Sequence, residues 1–387
     1  MSDKKTLLVL STWLVVSLKE KKWFMKVFLD TNAFYNNWFV DNANFKLLFH
    51  YLNNEQHDLL LSNLVVQEVN NIREREIFEA TSEIDRLINR VNKLNEKNIY
   101  FSVENVGISQ YDVKSMLNNK VNNIENIPYD DVPHKQVVDR ALRLVKPFTG
   151  EEKGYRDTLI WLSFLSYLKN QSIEGEIAFI TNNKHDFFEN KNKRLSFNDD
   201  LKNDITEMEI SATIKPYLNI FDFIKENVDK VENSFSREEI LDDLEYFLIE
   251  ETENYLRNMK NCDISELLGT SVFSDKLTDV IEIVPDIFEG LEDPTVHYVI
   301  RLPESSVYIS CFYEMRRVDL VVTIGLIEFK QHVDEIESIK SIYNIEIDGD
   351  IVKLSFIFRL YIDASFEYDT ESELGSNLTI EQILAKS

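Results

Sequence analysis

Four acidic residues, Asp30, Glu68, Asp157 and Asp186, are the side chains whose types and placement point to chemistry. Carboxylates gathered at one place repel one another, and their pKa values rise unless a cation compensates. An all-oxygen donor set suits Mg²⁺ or Mn²⁺, with waters completing the shell. Two such ions can activate a water and stabilise the leaving oxygen of a phosphodiester. Taken singly, each acid has an ordinary explanation. Asp30 would cap a following helix and Asp157 would be a favourable first-turn charge, while Glu68 would be a solvated helix residue and Asp186 a turn residue. Glu68 argues for more, because it lies three residues after Val65 and one before Val69 and so borders an apolar face. A carboxylate there needs a partner.

The elements that must position these acids read as alternating strands and helices. Lys26-Val-Phe-Leu29 is a short strand ending at Asp30, and apolar residues at helical spacing follow from Phe34 to Leu52. Asp58-Leu-Leu-Leu61 is a second strand, after which Ser62 caps a helix with Val65, Val69 and Ile72 on one face. That helix becomes strongly charged from Arg73 to Lys97, so its far end is expected in solvent. Asn98 to Val103 reads as a third strand, followed by a loop-rich insert over residues 104–150. Asp157 then opens a helix running through Leu168, Glu176 to Thr181 is a fourth strand, and Tyr217 to Ile220 reads as a fifth. Apolar strands alternating with helices predict an α/β fold, a parallel sheet covered on both faces. Ligands bind beyond the carboxyl ends of such strands, which is where Asp30 and Asp186 fall.

Phe28-Leu-Asp-Thr-Asn32, Val66-Gln-Glu-Val69, Gly154-Tyr-Arg-Asp-Thr-Leu-Ile-Trp161 and Phe179-Ile-Thr-Asn-Asn-Lys-His-Asp-Phe187 together resemble a PIN-domain nuclease. The order of the four acids and the element carrying each match that family over about residues 25–230. Lys146-Pro-Phe148 before Gly154-Tyr-Arg-Asp157 resembles a subgroup of longer bacterial PIN ribonucleases. The resemblance implies Mg²⁺- or Mn²⁺-dependent endoribonuclease activity on single-stranded or structured RNA. It implies that Asp30, Glu68, Asp157 and Asp186 are the metal-holding catalytic acids. Asn32 and Thr181 match the polar residues that orient them, and Asn183 falls at a polar position near the last acid.

The chain carries 42 Lys+Arg against 68 Asp+Glu, a net charge of -26, which argues against simple coating of nucleic acid or anionic membrane. The excess is uneven. Residues 231–387 hold 34 acids and 12 bases, a net of -22, which leaves only -4 for the first 230 residues. Such asymmetry predicts separately built domains: an N-terminal extension (1–25), a nuclease-like domain (26–230) and an acidic α+β domain (237–387). Arg140, Arg143, Lys146, Arg156 and Lys184 lie in locally basic segments bracketing two of the acid motifs and are candidate phosphate contacts. Tyr35, Trp38 and Tyr155 could stack on unpaired bases, although packing is the commoner role for such residues.

The acidic domain opens with a capping box, Ser236 with Glu239, and reads as helices over 237–290. Strands follow at Val296–Arg301, Val307–Tyr313, Val318–Ile327, Tyr343–Ile347 and Val352–Tyr361, with Asp348-Gly349 as a hairpin turn. Cys262, Cys311, His297 and His332 lack metal-site spacing, so a protein-binding, sensing or inhibitory role is expected for this domain. Two cysteines exclude a disulfide scaffold and suggest a cytoplasmic setting. The apolar run Thr6–Leu18 is too short to span a bilayer and lacks a small-residue cleavage site, so no membrane partner is expected. Alternative readings are a catalytically silent PIN scaffold that binds protein or RNA, a DNA nuclease, and a phosphatase-like hydrolase with Asp30 as nucleophile. The last is weakened by Asn32, where such enzymes usually carry a second Asp.

Overall fold

A computed structural model describes residues 25–96, 99–100, 110–149, 153–191, 194–228, 244–278, 280–288, 290–303 and 305–386. The N-terminal extension up to residue 24, most of the expected strand at 98–103 and the Ser236–Glu239 capping box lie outside the described residues. Two compact units divide the chain, one comprising residues up to Val40 with Leu48–Glu226, the other Asp41–Leu47 with Asn227–Ser387.

The first unit is built on five parallel strands in the order β3-β2-β1-β4-β7. These are β1 (Lys26–Leu29), β2 (Asp58–Ser62), β3 (Ile124–Ile127), β4 (Glu176–Ile180) and β7 (Thr213–Tyr217). The helices are α1 (Ala43–Glu55), α2 (Asn63–Asn92), α3 (Val113–Asn118), α4 (His134–Arg143), α5 (Tyr155–Asn170), α6 (Lys184–Phe187), α7 (Asp199–Glu207) and α8 (Ile220–Asn227). A small hairpin, β5 (Phe188–Lys191) with β6 (Arg194–Phe197), follows α6. The central strands β1 and β2 are buried along their whole length, as a sheet covered on both faces requires. Trp161 of α5 packs against Phe164, Phe179, Phe187 and Phe197, which locks that helix onto β4 and the hairpin. At the amino ends of the strands Lys26 pairs with Asp58 and, at 2.8 Å, with Glu125. Charge is compensated there by a lysine.

Three local departures from the expected elements have physical causes. The sheet's third strand is β3, within the stretch read as a loop-rich insert. Only Ile127 of its four residues is buried, so this edge strand carries no apolar run to announce it. The fifth strand lies at Thr213–Tyr217, where Pro216 and Lys215 break the apolar pattern on another edge, and Asn219 caps α8 by accepting from Asp222 N at 2.7 Å. The helix expected from Phe34 begins at Ala43. A 3₁₀ turn occupies Thr31–Phe34, and Asn36 and Val40 take positive φ (61° and 47°), which an α-helix does not accommodate.

The second unit is an antiparallel sheet with helices α9 (Glu245–Arg257), α10 (Asn261–Leu268) and α11 (Val272–Asp275). Its strands are β8 (Glu282–Ile287), β9 (Leu291–Arg301), β10 (Ser306–Gly325), β11 (Ile342–Asp348), β12 (Ile351–Asp369) and β13 (Leu374–Lys386). Two short helices, α12 (Leu326–Gln331) and α13 (Val333–Glu337), join β10 to β11. The long strands β10 and β12 pair with each other, and each is flanked by two shorter ones: β9 and β8 on β10, β13 and β11 on β12. Val352, Leu354, Phe356, Phe358 and Leu360 alternate into the core as their spacing predicted, and Asp348-Gly349 makes the β11–β12 turn with Gly349 at φ 59°. Two expected strands fuse into β10, because the exposed pair Arg316-Arg317 sits at a bulge inside it. A strand, β8, replaces the end of the expected helical stretch, with Ile283 and Pro285 turned inward. The exposed edge strand β13 had no counterpart in the sequence reading. Residues 41–47, the start of α1, belong to this unit, where the Tyr308 hydroxyl donates to Asn44 Oδ1 at 2.8 Å.

Candidate functional site

The carboxyl ends of β1 and β4 lie side by side, and the four acids are carried around them. Asp30 directly follows β1. It is buried and caps the 3₁₀ turn by accepting from Thr31 N at 2.8 Å, while its other oxygen accepts from the Thr181 hydroxyl at 2.6 Å. Glu68 sits in the second turn of α2, accepting from the Thr31 hydroxyl at 2.9 Å and from the Arg156 guanidinium. Asp157 is in the first turn of α5, and Asp186 is in α6 beyond β4. Asn183 bridges that last pair through one amide nitrogen, 2.9 Å from Asp186 Oδ2 and 3.4 Å from Asp157 Oδ2. Thr181 Oγ1 in turn accepts from Asn183 N at 3.1 Å.

These acids feel one another. Burial raises the pKa of Asp157, and Asp30, Asp186 and Glu68 raise it further, to about 7. Burial also raises Asp30, to about 6, against the lowering effect of its bonds from Thr181 and Thr31. The start of α5 depends on Gly154, at φ 105°, where an added Cβ would lie 2.4 Å from the Pro147 carbonyl oxygen. Only glycine fits this close approach, which seats Arg156 and Asp157 next to the Lys146-Pro147 loop.

The four segments that carry these acids fall in a stretch, residues 27–187, that matches the PIN domain family. Residues 27–187 form a PIN domain. Additional sequence follows it in the chain, and no curated protein and no solved structure matched.

In donor type, the PIN domain's four carboxylates fit a hard divalent cation. In placement they do not: among the described residues, no three Asp, Glu, His or Cys side chains converge as a metal-holding group. Both oxygens of Asp30 and both of Glu68 are turned to protein donors, and cationic side chains supply charge where a metal otherwise would. Arg156 holds Glu68, while Lys146 Nζ lies 3.6 Å from Asp186 Oδ1 and donates to the His185 carbonyl at 2.7 Å.

Of the polar residues expected to orient the acids, Thr181 and Asn183 contact them directly. Asn32 is exposed, and its neighbour Thr31 makes the bond to Glu68. Thr31 was not singled out in the sequence, although the D-T-N order was visible. The basic residues separate by environment. Arg140 is buried, bonding Asp204 at 2.7 Å and the Lys146 carbonyl, and Trp161 Nε1 donates to the same Asp204 at 2.8 Å. Arg143 is exposed and lines a surface cavity of about 500 Å³ with Lys135, Asp139 and Glu207. Lys184 is exposed, and Arg156 and Tyr155 are also largely exposed beside the acids. The Tyr35 hydroxyl donates to Glu76 at 3.0 Å, and its ring meets Trp38, so packing occupies both aromatics.

Proposed function

We propose that this PIN domain is a nucleic-acid-binding scaffold, one that takes up RNA without turnover in the arrangement described. The observation that carries this reading is the absence, among the described residues, of any three acids converging as a metal-holding group, with Arg156 and Lys146 paired to two of them. Exposed Arg156, Lys184 and Tyr155, each next to or close in sequence to an acid, and exposed Arg143 on a separate surface cavity, support contact with a phosphate backbone and an unpaired base. The acidic second unit would repel nucleic acid, so its partner in this reading is a protein with a basic surface. Among the described residues no helix is long and apolar enough to cross a membrane.

A second reading, a Mg²⁺- or Mn²⁺-dependent endoribonuclease using Asp30, Glu68, Asp157 and Asp186, is favoured by one observation. The three other acids help to hold Asp157 near a pKa of about 7, a repulsion that the resident cations leave partly uncompensated. One experiment separates the two. Single-stranded RNA, structured RNA and single-stranded DNA are incubated with the full chain and Mn²⁺ or Mg²⁺, with binding measured in parallel. RNA binding without cleavage supports the scaffold. Metal-dependent cleavage that disappears in both Asp30→Asn and Asp157→Asn overturns it in favour of the nuclease, and the substrate cut distinguishes RNA from DNA.

A further inference from the structure

Helix α2 is 30 residues long, yet Val65 and Val69, both near its start, are its only residues buried in the core. Its second half extends into solvent with an apolar stripe along one side: Ile77, Ala80, Ile84, Leu87, Val91 and, in the turn just past the helix, Leu94. Leu87 is 55 % and Leu94 84 % exposed, and Ile84 and Val91 are exposed as well. The steps of three and four residues form a heptad seam with β-branched residues at a (Ile77, Ile84, Val91) and Ala or Leu at d.

A stripe alone names no occupant, but the charges beside it do. Glu76, Glu83 and Arg90 occupy the positions immediately before a, and Thr81, Ile88 and Asn95 those immediately after d. In a parallel pair of such helices Glu83 would face Ile88, and no ion pair would form. In an antiparallel pair with Ile84 layered against Leu87, Glu83 faces Arg90 of the second copy, and two-fold symmetry repeats the contact. Charges flanking a heptad seam set partner and orientation. We infer that the exposed half of α2 is a self-association surface, pairing antiparallel with the same helix of a second copy of this chain.

The seam from Ile77 to Leu94 spans only ~27 Å, so the dimer is weak and forms in the micromolar range. Its two-fold axis falls between residues 85 and 86, which sends the two copies of Glu68 in opposite directions, ~50 Å apart along the helix pair. Each PIN site therefore stays open in the dimer.

Sedimentation equilibrium of the full chain from about 1 to about 100 µM tests this. The wild type is expected to show a monomer–dimer equilibrium. Glu83→Arg, which turns both cross-contacts into Arg–Arg repulsion, is expected to weaken the dimer at least about tenfold. Adding Arg90→Glu to it restores association to within about threefold of wild type, since the pair is only exchanged. Leu87→Asp abolishes it, and the unchanged melting of all three variants excludes misfolding. A wild type that stays monomeric throughout, or a dimer indifferent to Glu83→Arg, overturns the inference.

Discussion

Burial and three neighbouring acids hold Asp157 near a pKa of about 7, against an ordinary value of 3.8, and this has a thermodynamic sign. The folded state binds a proton more tightly than the unfolded chain, so stability declines as pH rises from about 4 through 7. Removing the charge should therefore help most in alkali. Asp157→Asn is expected to melt above wild type at pH 8, by on the order of 2 kcal/mol, with the gain vanishing toward pH 4. Melting curves at both pH values check this; a gain that persists at pH 4 would place the cause in packing. Arg140 belongs to the opposite class. Its guanidinium is buried against Asp204, which also accepts from Trp161, so Arg140→Ala leaves that carboxylate short of a partner. A loss of about 3 kcal/mol in urea unfolding is expected. Because the charge faces inward, RNA affinity of the folded variant should change little, whereas Arg143→Ala should weaken it and flatten its salt dependence.

At the scale of elements, the site depends on how α5 begins. Gly154 adopts a backbone conformation that residues with a Cβ avoid, and its Cα faces the Pro147 carbonyl at a distance that leaves no room for a methyl group. Gly154→Ala should cost about 2 kcal/mol or more, measured by chemical denaturation, because strain and clash add. It should also loosen the Arg156–Glu68 contact, since both Arg156 and Asp157 follow within the first turn. The same scale explains what could be read from the chain. Beyond their charged first residues, β1, β2 and β4 each carry an unbroken apolar run because both faces are covered, and the helix bearing Glu68 announced itself through Ser62, Val65 and Val69. The edge strands β3, β7 and β13 did not, because only one residue in each of β3 and β7, and none in β13, is buried, so their residues follow no apolar rule.

Over the whole molecule, the charge imbalance carries its own consequence. With a net of -22 over residues 231–387, the second unit repels itself, and screening should relieve that repulsion. Raising NaCl from about 20 to about 300 mM is expected to raise its melting temperature, and a fall would show that specific ion pairs such as Arg359–Glu292 outweigh the general field. By itself, the sequence determined the four acids, their order, the parallel sheet that carries them and the acidic α+β unit beyond, because apolar periodicity and charge counts are local properties. Only the tertiary structure decided which cations meet those acids. Arg156 reaching Glu68, Lys146 reaching Asp186 and Arg140 turning inward to Asp204 join residues 40 to 88 positions apart. A side chain's partner at that separation is set by strand order and helix docking, and basic residues that look alike in sequence divide there into buried braces and exposed contacts.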